Sequence, residues 1–92
     1  YLHIGESAIK YADEITGRLV KFGYPIYMQS PTNQRFTVMD NETLKKFGEE
    51  IEYSYWRKVD ENHTAIRLAT SWRTTREDVD RLIRVLEKYK PL

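Results

Sequence analysis

The stretch from Thr64 to Trp72 constrains the fold more than any other part of this chain. Successive side chains of an extended strand point to opposite faces. Thr64, Ile66, Leu68, Thr70 and Trp72 therefore share one face, and Ala65, Arg67, Ala69 and Ser71 share the other. The first face suits a core; the second is lined by small side chains around one cation. Directly beyond it, Thr74 stands three residues before Glu77. At that spacing a hydroxyl and a carboxylate satisfy each other's orphan backbone N–H groups. The pattern predicts a strand running into a capped helix, with Val79, Leu82, Ile83 and Leu86 as the buried stripe and Pro91 beyond its end.

The rest of the chain supplies partners for this strand. "IEYSYWRKV" alternates Ile51, Tyr53 and Tyr55 against Glu52, Ser54 and Trp56, a half-buried strand pattern. "DENH" makes the turn, so the two segments are expected to pair as a hairpin. Arg35 to Met39 reads as a further strand, with Phe36 and Val38 on one face and Thr37 and Met39 on the other. Before it, Pro25 and Pro31 bracket a short strand or loop, and "SPTN" is turn chemistry. Ala8, Tyr11, Ala12, Ile15, Leu19 and Phe22 fall at helical spacing, ended by Gly23 as a left-handed terminator. Asp40 and Asn41 are candidate caps of a short helix through Phe47, closed by Gly48. The order of elements predicts an α+β domain: a two-layer sandwich of a small, mainly antiparallel sheet, about three strands with a hairpin, covered by helices on one side.

Ninety-two residues make a single domain spanning 1–92. There is no cysteine, which excludes disulfide and thiolate chemistry and fits a cytoplasmic setting. The net charge is +1, from 15 Lys and Arg against 14 Asp and Glu, which argues against a dedicated nucleic-acid binder. No apolar run approaches the ~20 residues that span a bilayer, so no membrane partner is expected. The first residue is Tyr1 rather than methionine, so the chain is read as a processed protein or a piece of a longer one.

The catalytic inventory is thin. His3 and His63 have no metal-ligand partner at short spacing, the carboxylates fall on helix exteriors or in turns, and the four glycines are isolated. No catalytic residue, metal ligand or cofactor ligand is assigned. Tyr53, Tyr55, Trp56 and Trp72, with Arg57 and Arg73 nearby, could stack bases, but cross-strand pairs covering a helix layer account for them better. Arg67 is left with two open readings. It is paired with Glu52 or another carboxylate of the adjacent strand, or it is a planar fork of donors awaiting an anion from outside the chain.

At this stretch the sequence resembles a known family. "IRLATSWRTTREDVDRLI" is similar to the C-terminal segment of threonine aldolases and β-eliminating lyases, pyridoxal-phosphate enzymes with the aspartate-aminotransferase type of fold. The resemblance runs back through "SPTNQRFTV" and "YADEITGRLVKFGY", and so covers nearly the whole chain. It implies the C-terminal small domain of a larger lyase that cleaves β-hydroxy-α-amino acids to glycine and an aldehyde. The large domain, with the Schiff-base lysine and the phosphate site, is not in this sequence. By the match, Arg67 would hold the amino-acid substrate's carboxylate. Lys10, Lys21, Lys45, Lys46, Lys58, Lys88 and Lys90 lie in polar or charged contexts, so the isolated chain is expected to bind no cofactor and to be inactive. The parent is expected to be a homo-oligomer. The alternative is a free-standing α+β ligand-binding or protein-interaction module, since such folds host many functions.

Overall fold

The computed structural model describes residues 6–28, 32–71 and 73–91. Trp72 and His3, singled out in the sequence, and Ser30 and Pro31 of "SPTN" lie outside the described residues. The elements are α1 (Glu6–Phe22), β1 (Ile26–Met28), β2 (Gln34–Asp40), α2 (Asn41–Glu50), β3 (Ser54–Lys58), β4 (His63–Ala69) and α3 (Arg76–Lys88). Every strand pairing is antiparallel, in the order β1-β2-β4-β3. The expected α+β class holds, but the sheet has four strands rather than about three. The extra one is the short edge strand β1, where Ile26 pairs with Thr37.

All three helices pack on one face of the sheet. Thr37 lies opposite Ile66, Met39 opposite Thr64 and Arg35 opposite Leu68, so these residues share that face. Met39, Ile66 and Leu68 join one core with Ile15, Leu19 and Phe22 of α1, Leu44 and Phe47 of α2, and Val79, Val85 and Leu86 of α3. The expected alternation of β4 is thus observed: Thr64, Ile66, Leu68 and Thr70 are buried.

Local signals set most of the helix ends. Gly23, at φ 89°, ends α1 as expected. Its N–H donates to the carbonyl of Val20 (3.1 Å) and that of Tyr24 to Leu19 (2.9 Å), the paired bonds of a Schellman turn. Asp40 caps α2 by accepting from the Thr43 N–H at 3.0 Å, and hydrogen bonding from the Thr43 side chain and N–H holds its carboxyl below its ordinary pKa.

Three expectations are corrected. Gly48 does not close α2, which continues to Glu50 with Ile51 as its cap. Its missing side chain admits the ring of Tyr53, whose Cε1 would lie 3.0 Å from an added Cβ. The capping box of α3 is built by Thr75 and Asp78, one residue later than the Thr74–Glu77 pair. Thr74 is already engaged, since its N–H donates to the Ser71 carbonyl and its Oγ1 accepts from the Ser71 N–H. The buried stripe of α3 is also broader. Val85 is buried while Leu82 and Ile83 are partly buried, because α3 packs against both α1 and α2.

Arg35 went unremarked in the sequence as anything but a strand residue. It is buried on the helix-covered face, 8% exposed. Its guanidinium donates to Asp13 Oδ1 (2.8 Å), Thr16 Oγ1 (3.1 Å) and the Thr32 carbonyl (2.8 Å). A buried charge requires such partners. Here they fasten α1 and the β2 entry to each other.

Candidate functional site

The site is built on the sheet face that carries no helix. Antiparallel register places Phe36 of β2, Arg67 of β4 and Ser54 of β3 in one row across it. The next row holds Val38 and Ala65, with Arg57 opposite Ala65. Between these rows β3 carries a bulge: Tyr55 pairs with Ile66 but Arg57 with Ala65, which leaves Trp56 as the additional residue. A bulge re-aims side chains that strict alternation would send to the other face. Trp56 meets the Phe36 ring edge-on at a centroid distance of 4.9 Å, so its indole lies over β4 to reach β2. Arg57 extends farther, donating from Nη1 to the Tyr27 hydroxyl at 3.3 Å on β1. That contact raises the Arg57 pKa above its ordinary value.

The consequence is a face closed at one end and open at the other. Ala65, on the helix-free side, is 0% exposed, whereas Ala69 and Ser71 of the same side are exposed. Arg67 stands at the boundary, partly buried. The expected grouping of Trp56 with aromatics that cover the helix layer is therefore corrected. Of that set, Tyr53 packs on Phe47 of α2, Tyr55 is largely exposed and Trp56 belongs to the opposite face.

Arg67 does not pair with Glu52. Its Nη2 donates to Ser54 Oγ at 3.3 Å, and no carboxylate among the described residues forms an ion pair with it. The contrast with Arg35 is direct. The two arginines sit on adjacent strands and opposite faces; one is neutralised by Asp13 and, among the described residues, the other donates to a neutral hydroxyl. Its same-face neighbours along β4, Ala65 and Ala69, are small. A cation held this way is suited to a carboxylate or phosphate supplied from outside.

Other polar clusters are committed to structure. Arg76 of α3 bridges Glu14 of α1 (Nη1 to Oε1, 2.7 Å) and Asp80 (2.6 Å), and this lowers the pKa of both carboxyls. Glu50 accepts from the Tyr89 hydroxyl and from Lys88 Nζ, which lowers its pKa. His63 lies 2.9 Å from Asp60 in the exposed hairpin turn, and no metal-holding group is found among the described residues. A cavity of about 630 Å³ between α2, α3 and the end of β4 is lined by Glu49, Glu52, Asp78 and Arg81 among others. Of these four, Asp78 is taken by the capping box and Arg81 by the Glu50 carbonyl. Arg67 does not line it. No helix of the described residues is long and apolar enough to cross a membrane.

The architecture is that of a helix-backed antiparallel sheet with one cationic, partly covered face. Among solved structures, the threonine aldolase of Leishmania major matches it with a TM-score of 0.83 at 22% identity. That match covers 89% of this chain and 24% of the aldolase chain. A serine palmitoyltransferase from Sphingomonas wittichii matches with a TM-score of 0.71 at 11% identity, over 89% of this chain and 23% of the other. This chain thus spans about a quarter of the length of the solved chains it matches. No family model and no curated protein matches the sequence. The likeness establishes a shared fold, and the first of these structures bears the name of the family that the sequence resembles.

Proposed function

We propose that this chain is the C-terminal small domain of a pyridoxal-phosphate-dependent lyase of the threonine aldolase type, and that Arg67 binds the α-carboxylate of the amino-acid substrate. The observation that carries the reading is Arg67 itself: a partly buried cation on the helix-free face, held by a neutral hydroxyl. The fold shared with a threonine aldolase supports an amino-acid carboxylate as the anion for that cation. The parent reaction would be cleavage of a β-hydroxy-α-amino acid to glycine and an aldehyde, in a homo-oligomeric enzyme.

The described residues do not fit the cofactor by themselves. All seven lysines are exposed, Lys88 is paired with Glu50, and the isolated glycines form no phosphate loop. In this reading the cofactor would be held by the remainder of the parent chain and would supply an electron sink for the cleavage. The contribution of this domain is orientation. A two-point grip by a guanidinium on a carboxylate fixes how the amino acid is turned about Cα, and hence which bond faces the reacting centre. Trp56 and Arg57 close one end of the face and limit the direction from which the carboxylate approaches.

The test is an assay of the parent, purified with pyridoxal phosphate and supplied with a β-hydroxy-α-amino acid. Stoichiometric glycine and aldehyde are expected. The isolated domain should fold, retain no cofactor and release neither product. A parent that yields no glycine, or an isolated domain that binds pyridoxal phosphate stoichiometrically, overturns the reading.

A further inference from the structure

Among the described residues, the side chain that hydrogen-bonds Arg67 is that of Ser54. In its row across the sheet, Phe36 stands on one side and Ser54 on the other. Along its own strand the same-face neighbours are Ala65 and Ala69. Among the described residues, the side-chain hydrogen bond of its guanidinium is that from Nη2 to Ser54 Oγ, 3.3 Å long. A long, rotamer-rich side chain in such a setting would sample many directions.

Resting on the reading of Arg67 given above, we propose that Ser54 is its positioning residue: a hydroxyl that aims the guanidinium without neutralising it. The chemistry of the position is specific. A hydroxyl accepts a hydrogen bond yet carries no charge, so the cation keeps its demand for an anion. A carboxylate at the same place would hold Arg67 more tightly and compete with the substrate. A methyl group would leave the charge intact and its direction undefined. Register supports the assignment, because Ser54 of β3 lies directly opposite Arg67, just before the bulge that brings Arg57 round to the face Ser54 already shares with Trp56.

Two measurements test it. In this chain, the heteronuclear NOE of the Arg67 Nε–H group reports side-chain order; Ser54→Ala should reduce it, and Ser54→Thr, which keeps the hydroxyl, should restore it. In the parent enzyme, Ser54→Ala should raise KM for the amino acid about three- to tenfold, the cost of one side chain immobilised only on binding, with kcat within about twofold. Ser54→Thr should return KM toward wild type. Ser54→Asp should raise KM as far as Arg67→Ala does, because an internal carboxylate then occupies the fork. If Arg67→Ala raises KM while Ser54→Ala changes neither KM nor the NOE, the positioning role is overturned and the reading of Arg67 stands. If Arg67→Ala itself leaves KM unchanged, the reading falls and the positioning role falls with it. Circular dichroism of each variant separates these outcomes from loss of the fold.

Discussion

The Asp13–Arg35 pair offers a prediction whose size follows from an asymmetry in burial. The Arg35 side chain is 9% exposed, whereas Asp13 is 66% exposed. Asp13→Ala removes the wet member and leaves the guanidinium under α1 with, among the described residues, the Thr16 hydroxyl and the Thr32 carbonyl as acceptors. An exposed pair is worth ~0–1 kcal/mol. Stripping a fully buried charge of its partner costs ~3–5 kcal/mol. Here the charge is buried but keeps two neutral acceptors, so the loss should fall between these limits, at about 2 kcal/mol, the scale of one charged hydrogen bond. For a domain of this length that lowers the melting temperature by about 10 °C. Urea denaturation followed by circular dichroism measures it. Asp13→Asn, which retains an acceptor oxygen, should lose about half as much. A loss below ~0.5 kcal/mol for Asp13→Ala would refute the argument that Arg35 depends on Asp13.

Two further stability predictions follow from buried and capping hydroxyls. Tyr24 donates to the Leu86 carbonyl at 2.6 Å, and burial raises its pKa from 10.0 to about 12. Its contribution is fully present below the unfolded value near 10.0 and is lost as the pH rises through about 12. The domain should therefore weaken across that window, and Tyr24→Phe should flatten the dependence; an unchanged alkaline profile in the variant rules out Tyr24 as its source. Thr75→Ala removes the hydroxyl that accepts from Asp78 N–H and should cost about 1 kcal/mol in urea denaturation. Equal stability of Thr75→Ala and wild type would contradict the observed cap.

How much of this was legible in the sequence depended on whether a feature is local. The two faces of β4 followed from alternation alone, and Gly23 announced its turn, because strand pleat and positive φ are properties of the backbone at that place. The cap of α3 was misplaced by one residue because Thr74–Glu77 and Thr75–Asp78 have the same spacing. The choice was made by Ser71, which engages Thr74 on both sides. Gly48 looked like a terminator, and only the approach of the Tyr53 ring gives it another purpose. The β3 bulge was not legible, since it is set by the register against β4, which pairs Arg57 rather than Trp56 with Ala65 and so brings Arg57 onto the face that alternation already gave Trp56. For the site, Arg67 and its small neighbours were visible, but its partner was not. Glu52 and Ser54 are both on the neighbouring segment, and register selects Ser54.

The central claim, that Arg67 grips a carboxylate, is tested most directly by comparing two substrates of the parent enzyme. One is the amino acid and the other its carboxamide, in wild type and in Arg67→Ala. Loss of a charge-assisted contact of ~1.5–3 kcal/mol raises KM by about 10- to 100-fold. The account predicts that rise for the amino acid and no comparable rise for the carboxamide. An unchanged KM for the amino acid, or an equal rise for both substrates, would contradict it.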